Sequence, residues 1–106
     1  MIDPLEFIDI LKIQRINYFY GVPDSLLKPL CTKLLKLSSC FHQISTNEAM
    51  AVSSAIGSFL ATGDMACVYM QNSGLSNALN PLISIAHPKV YSIPLILIIG
   101  LLLYKI

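Results

Sequence analysis

Charged residues are scarce in this sequence. Lys, Arg, Asp and Glu make up 12% of its 106 residues, against about 25% in typical soluble domains. The net charge is only +1 and no basic run occurs, so the electrostatic footprint of a nucleic-acid-binding protein is missing. Because 55% of the residues are hydrophobic, two interpretations are possible. The chain is predicted either to be a hydrophobic core that lacks the segments usually around it, or to have an apolar surface that a partner covers.

A signal peptide and a disulfide framework are missing as well. Two aspartates, a glutamate and a proline among the first ten residues interrupt the apolar stretch that a signal peptide needs. The cysteines Cys31, Cys40 and Cys67 are an odd set without C-x-x-C spacing or a paired histidine, which argues against disulfides and against a metal site. We therefore expect three buried, reduced thiols in an intracellular, cytoplasmic protein.

The common catalytic and phosphate-binding motifs do not occur. The sequence has no G-x-G-x-x-G loop, no Walker pattern, no Ser/His/Asp set and no cluster with metal-ligand spacing. Of the two histidines, His42 lies in a predicted strand and His87 precedes a proline, so both are interpreted as structural. No metal ligand is predicted in this chain.

Residues 93–104 form an apolar stretch that raises the question of a membrane span. The stretch is shorter than the about 20 residues that a spanning helix needs, and Pro94 and Gly100 interrupt it. A buried strand is therefore favoured. A small membrane-associated protein that uses this stretch as an anchor remains an alternative.

Hydrophobic periodicity predicts helices that alternate with four strands. The strands are expected at residues 18–22, 41–45, 65–70 and 93–99. Such alternation is typical of a parallel sheet with helices on both faces. We therefore expect a single three-layer α/β/α domain over residues 1–106.

Details of three helices follow from single residues. Asn17 is predicted to end the first helix in a left-handed conformation. Pro29 either kinks the second helix or marks its true start, and Asn80 is predicted to cap a new helical segment that begins at Pro81. The leucines of the second helix are expected to face the core: Leu26, Leu27, Leu30, Leu34, Leu35 and Leu37.

Polar residues follow the first three predicted strands. In a parallel sheet the carboxyl ends of the strands share one rim, where such folds bind ligands. The carboxylate of Glu48 and the polar turn at residues 71–74 are therefore expected to meet there. Ser45 and Glu48 also have the spacing of a capping box, which leaves a purely structural role for Glu48 open.

Several segments of the chain resemble one enzyme family. They are Gly21-Val22-Pro23-Asp24-Ser25-Leu26-Leu27, Thr46-Asn47-Glu48-Ala49 and Tyr69-Met70-Gln71-Asn72-Ser73-Gly74-Leu75, together with Asn77, Asn80-Pro81-Leu82 and Val90-Tyr91-x-Ile93-Pro94. In their order and spacing, residues 3–100 resemble the phosphonopyruvate decarboxylases, with the alpha subunit of sulfopyruvate decarboxylase as a close relative. The resemblance implies an incomplete pyrimidine-binding domain of a thiamine-diphosphate-dependent enzyme.

The resemblance also implies roles for residues on the rim. Glu48 would be catalytic and cofactor-binding, through a hydrogen bond to the ring nitrogen N1′ of the cofactor's aminopyrimidine. The other matching positions are Asn72, Ser73 and Gly74 for cofactor binding, and Pro23, Asp24 and Ser25 for substrate binding. Mg²⁺ would lie on a second domain.

The chain departs from the family in what it lacks. Members of the family hold the cofactor diphosphate and Mg²⁺ on a second domain with a G-D-G motif, and this sequence has no such motif. Residues 101–106 diverge from the family, so a truncated, frame-shifted or split-gene product is expected. The expected partner is a diphosphate-binding domain or subunit with a G-D-G motif, in a homo- or hetero-oligomer. Binding to nucleic acid or to a membrane is not expected.

The resemblance implies that the chain is part of a 2-keto acid decarboxylase. Phosphonopyruvate would be converted to phosphonoacetaldehyde and carbon dioxide, with thiamine diphosphate as cofactor and Glu48 activating its pyrimidine. This chain alone would be inactive. Two alternatives stay open, an alpha-type subunit of sulfopyruvate decarboxylase and a non-catalytic remnant that only binds a partner.

Overall fold

The computed structural model describes residues 2–101. The strands are β1 (Phe19–Gly21), β2 (His42–Ile44), β3 (Ala66–Gln71) and β4 (Leu95–Gly100). The helices are α1 (Pro4–Ile13), α2 (Lys28–Leu34), α3 (Glu48–Thr62) and α4 (Leu75–Pro81). All strand pairs are parallel and the strand order is β2-β1-β3-β4, so the predicted parallel α/β fold is confirmed. The expected divergent tail, residues 101–106, lies outside the described residues except for Leu101.

Helices cover both faces of this sheet. α1 and α2 pack over a cluster that includes Phe19, Leu34 and Tyr69. α3 and α4 pack on the opposite face over a second cluster, which includes Val52. Residues 66–70 of β3 are 0% exposed, because an interior strand of a parallel sheet is buried on both faces. The three layers are thus as the sequence predicts.

The end of α1 differs from the expectation at Asn17. The left-handed residue is Arg15, with a φ of 63°. The amide of Ile16 donates to the carbonyl of Leu11 at 2.9 Å, and both side chains are buried in the same cluster. This is a Schellman arrangement with its usual hydrophobic contact. Burial of Ile16 therefore ends the helix before Asn17 is reached.

Pro29 marks the start of α2 rather than a kink within it. A 3₁₀ turn, Ser25–Leu27, precedes the helix, so the second of the two alternatives is confirmed. The core prediction is wrong for Leu26 and Leu35, which are 43% and 63% exposed. The 3₁₀ turn and the early end of α2 break the helical periodicity on which that prediction depended.

Pro81 does not open a new helical segment. α4 runs without a break to Pro81, whose φ of −67° is helical, and a π-helical turn, Leu82–Ala86, follows directly. The predicted cap at Asn80 is therefore wrong, since Asn80 lies inside the helix. Proline has a φ that suits a helix, and the loss of its one hydrogen bond does not end the helix here.

The cysteines are not all buried. Cys31 and Cys67 are buried, but Cys40 is exposed, so the expectation is wrong for Cys40. This residue lies in the loop before β2, where neither helix layer covers it. All three cysteines are free thiols, and burial raises the pKa of the Cys67 thiol to about 12, so Cys67 stays protonated and unreactive near neutral pH.

β4 contains half of the apolar stretch at residues 93–104. It pairs in parallel with β3 along its whole length, so a strand is confirmed for residues 95–100. Residues 95–99 are half-buried rather than buried, and residues 102–104 lie outside the described part of the chain. Within residues 2–101, no helix combines the length and the apolar character that crossing a membrane requires.

His42 makes a buried polar contact beneath α2. Its Nε2 lies 2.7 Å from Oη of Tyr69, and the two residues are 7% and 0% exposed. Tyr69 is the register partner of Gly21 in β1, and the ring lies where a Cβ on Gly21 would be, since that atom would come within 2.5 Å of it. The contact is structural, as predicted for His42, because a buried polar group needs a hydrogen-bond partner.

Lowering the pH is expected to destabilise the fold through His42. Loss of solvation lowers the pKa of His42 from its usual 6.5, and a backbone hydrogen bond with Leu34 opposes this in part. The folded state therefore keeps the imidazole neutral, while the unfolded chain takes up a proton below about pH 6.5. The stabilisation is fully present above that pH and is lost as the pH falls through the lowered folded pKa.

The variant His42→Gln separates this effect from other titrations. Gln keeps an acceptor for the Tyr69 hydroxyl but cannot take up a proton. We expect its free energy of unfolding in urea to change less than that of the parent between about pH 7.5 and pH 5.5. His87→Gln, at an exposed position, is the control and should keep the parental dependence. Equal pH dependence in His42→Gln and the parent would contradict the prediction.

Candidate functional site

Glu48 is the first residue of α3, at the rim where the strands end. The residue that caps this helix is Asn47, whose side chain accepts a hydrogen bond from the amide of Met50 at 2.9 Å. A capping box would place its glutamate three residues after the cap. The capping-box interpretation of Ser45 and Glu48 is therefore wrong, and the carboxylate of Glu48 is available for other contacts.

The carboxylate of Glu48 contacts the neighbouring helix instead. Its Oε2 accepts a hydrogen bond from Nδ2 of Asn77, in the first turn of α4, at 3.1 Å. Glu48 is half-buried. A negative charge in the first turn of α3 is also favoured by the helix dipole. The carboxylate of Glu48 thus lies at the rim between the first turns of α3 and α4.

Gly74 provides the space in which Glu48 lies. This buried glycine ends a 3₁₀ turn, Asn72–Gly74, between β3 and α4. A Cβ on Gly74 would lie 2.6 Å from Cγ and Cδ of Glu48, much closer than two carbon atoms can approach. Its φ of −78° is ordinary, so Gly74 matters because it lacks a side chain. The predicted meeting of Glu48 with the polar turn is confirmed.

Asp24 lies on another part of the same rim. Its Oδ2 is buried and has no hydrogen-bond partner among the described residues. A Cβ on Gly100, at the end of β4, would lie 2.7 Å from this oxygen. The structure therefore brings the loop after β1 against the end of β4, and it leaves a carboxylate oxygen there that needs a polar partner.

The thiol of Cys31 lies near Asp24 but is not a candidate nucleophile. Burial raises the pKa of Cys31, a backbone hydrogen bond with Asp24 opposes this, and the charge of Asp24 raises the pKa further. A cysteine reacts as its thiolate. The thiol form is thus favoured at neutral pH, which gives Cys31 a role in packing.

The remaining predicted site residues are on the surface of the rim. Pro23 and Ser25 are exposed on either side of Asp24, and Ser73 is exposed beside the half-buried Asn72. The carbonyl of Ser73 accepts a hydrogen bond from the hydroxyl of Ser76 at 3.3 Å, which stabilises the turn. Among residues 2–101, no group of three or more His, Cys, Asp or Glu side chains could hold a metal ion.

Asn77 belongs to the positions that carry the resemblance, but sequence reasoning gave it no role at the site. The asparagines after β3 have ordinary explanations as turn and cap residues, and Asn77 is 29 positions from Glu48 along the chain. The signal that could have indicated it is its place in the first turn of the helix after the polar turn. A side chain there can reach the same rim.

Comparison with known proteins gives a consistent picture. Residues 6–101 match the family described as thiamine pyrophosphate enzyme, N-terminal TPP binding domain. A solved thiamin diphosphate-dependent enzyme from Mycobacterium smegmatis has a TM-score of 0.69 and 28% sequence identity, over 87% of this chain and 17% of that chain.

The curated relatives that the chain matches are decarboxylases. A phosphonopyruvate decarboxylase from Streptomyces hygroscopicus is 41% identical over 68 residues, 64% of this chain and 17% of that protein. The phosphonopyruvate decarboxylase from Streptomyces viridochromogenes is 40% identical, with the same coverage. The alpha subunit of sulfopyruvate decarboxylase from Methanocaldococcus jannaschii is 32% identical over 90 residues, 85% of this chain and 52% of that subunit. The chain thus spans about half of that subunit and 17% of the two longer relatives.

Proposed function

Because the chain belongs to the thiamine pyrophosphate enzymes, through their N-terminal TPP binding domain, we propose that it is the pyrimidine-binding part of a 2-keto acid decarboxylase. Phosphonopyruvate is the proposed substrate, and phosphonoacetaldehyde and carbon dioxide are the products. Relatives whose names describe this kind of reaction support the proposal. The complete reaction would also need parts of the enzyme outside this chain, which spans 17% of these relatives.

The observation that carries the proposal is the carboxylate of Glu48. It lies at the rim, does not cap its own helix, and is held by Asn77 over a glycine. Such a carboxylate fits the ring nitrogen N1′ of an aminopyrimidine, with which it would share and exchange a proton. The bound cofactor supplies an electron sink for the carbon–carbon bond that breaks on loss of carbon dioxide.

The other rim residues are proposed to bind rather than to react. Asn72, Ser73 and Gly74 would lie against the pyrimidine. The loop with Pro23, Asp24 and Ser25 would face the substrate. An ionised Asp24 can only accept hydrogen bonds, and one of its oxygens is turned toward Gly100. The exposed hydroxyl of Ser25 is therefore the side chain of this loop that would donate a hydrogen bond to an acidic substrate.

The proposed partner is a diphosphate-binding domain with a G-D-G motif, in the same or another subunit. That domain would hold Mg²⁺ and the cofactor diphosphate, and the assembly would be a cytoplasmic homo- or hetero-oligomer. An alpha-type subunit of sulfopyruvate decarboxylase is the second candidate. The observation that favours it is the coverage, since 85% of this chain aligns with such a separate subunit.

Titration calorimetry with thiamine diphosphate and Mg²⁺ tests whether the cofactor site is divided between this chain and a second domain. We expect no micromolar binding by the isolated chain, because its described residues offer carboxylate and amide groups at the rim but no cluster for a metal ion. Micromolar binding by the chain alone would overturn the division.

The matched experiment adds the missing part. The remainder of the Streptomyces hygroscopicus enzyme, expressed without its first domain, is mixed with this chain, and carbon dioxide release is measured with phosphonopyruvate and with sulfopyruvate. A higher kcat/KM for phosphonopyruvate is expected, and a higher value for sulfopyruvate would favour the second candidate. A complex that forms but turns over neither substrate would favour the non-catalytic remnant.

A further inference from the structure

The carboxylate of Glu48 is oriented by the segment after β3 rather than by its own helix. Its Oε2 accepts a hydrogen bond from Asn77, in the first turn of α4, at 3.1 Å. On its other side lies Gly74, where any side chain would overlap with the glutamate. Gly74 and Asn77 are three residues apart along the chain. Gly74 leaves space for the carboxylate, and Asn77 donates a hydrogen bond to it.

Small residues let α4 approach α3 closely enough for this contact. Ala51 and Ala55 on α3 are 0% and 1% exposed, and Ala78, the residue after Asn77, is 0% exposed. All three belong to the same core cluster. Larger side chains there would separate the two helices. The position of the Asn77 backbone relative to Glu48 therefore follows from a packed interface, and the exposed Asn77 side chain reaches the carboxylate from it.

The chemistry of the donor matters as much as its position. An amide N–H is neutral, so Asn77 fixes one carboxylate oxygen without forming an ion pair. A lysine or arginine at this position would compete with a ligand for the carboxylate and oppose its protonation. A neutral donor is thus suited to a carboxylate that must take up and release a proton.

We propose that Asn77 is a positioning residue for Glu48: it holds Oε2, while Oε1 lies over Gly74, and so it directs the carboxylate toward the ring nitrogen of the pyrimidine. This inference rests on the proposed function of Glu48 and adds the residue through which its geometry is set. Asn77 itself contacts neither substrate nor reacting atoms in this proposal.

The contact is tested first in the isolated chain, without cofactor. The side-chain amide signals of Asn77 in ¹⁵N-resolved NMR should shift as the Glu48 carboxylate titrates, and this shift should vanish in Glu48→Gln. Asn80, an exposed residue in the same helix, is the internal control, and its signals should not change between the two proteins. Asn77 signals that do not respond to pH, or respond equally in Glu48→Gln, would overturn the inference.

The positioning role is tested in the complex with the diphosphate-binding part. Asn77→Leu removes the donor at similar volume, and Asn80→Leu is the matched control on the same helix. For Asn77→Leu we expect exchange of the cofactor C2 proton and kcat to fall about 10- to 100-fold, the usual cost of a misplaced catalytic group. The KM and the cofactor affinity should change little, because Asn77 touches neither ligand. A purely structural role would instead lower the melting temperature and leave kcat unchanged.

The two proposals fail in different ways. If the parent complex shows no C2 exchange, the proposed function of the site is wrong, whatever Asn77 does. If the parent exchanges the proton and Asn77→Leu does so at the parental rate, Glu48 keeps its role and the inference about Asn77 is wrong.

Discussion

Replacing Glu48 by glutamine is expected to lower the turnover of the reconstituted enzyme by about two to four decades. Glutamine has the same shape and can still hydrogen-bond to Asn77, but it cannot exchange the proton that the pyrimidine ring nitrogen requires. The fold should be preserved, because Asn47 and not Glu48 caps α3. The charge at the first turn is lost, at a cost of about 0.3–1 kcal/mol in stability.

Glu6→Gln is the matched control for this experiment. Glu6 is an exposed glutamate in the first turn of α1, so the same substitution removes a similar interaction with a helix dipole far from the rim. Thermal denaturation should show similar small losses for both variants, and NMR of C2-proton exchange should show a defect only for Glu48→Gln. Normal exchange in Glu48→Gln would return Glu48 to a structural role.

Gly21→Ala is expected to destabilise the fold strongly, although it adds only one methyl group. A Cβ at this position would lie 2.5 Å from the ring of Tyr69 and also 2.5 Å from its carbonyl oxygen. The ring could turn, at the expense of its contact with His42. The carbonyl belongs to the backbone of β3, so β1 and β3 would have to separate. Overpacking of this kind costs about 1–3 kcal/mol and occasionally more.

The control for Gly21→Ala is the same substitution at Gly57. A Cβ on Gly57 meets nothing within 4 Å, and the residue lies in the interior of α3. Gly57→Ala should therefore stabilise the chain by about 0.5–1 kcal/mol, since alanine is the better helix former. Urea unfolding measures both variants, and a Gly21→Ala protein as stable as the parent would show that β1 and β3 are not held as described.

Local patterns in the sequence were sufficient for the order and type of the elements. The apolar run that forms β3 depends only on residues that are neighbours along the chain. The convergence of the strand ends was predictable too, because parallel strands always bring their carboxyl ends to one rim. The sequence by itself therefore indicated where Glu48 and Asp24 lie, and the resemblance suggested what they do.

Only the tertiary structure decided which of several local options is used. Ser45 and Asn47 can both cap a helix, and in the structure Asn47 caps α3 while Glu48 reaches Asn77 on α4. Likewise, burial of Ile16 accompanies a left-handed residue at Arg15, just after α1, rather than at Asn17. Local alternatives of this kind differ by about 1 kcal/mol in free energy. Contacts between residues that are distant in the sequence outweigh that difference. This is why the rim could be predicted from the sequence, and the hydrogen bond that orients its carboxylate could not.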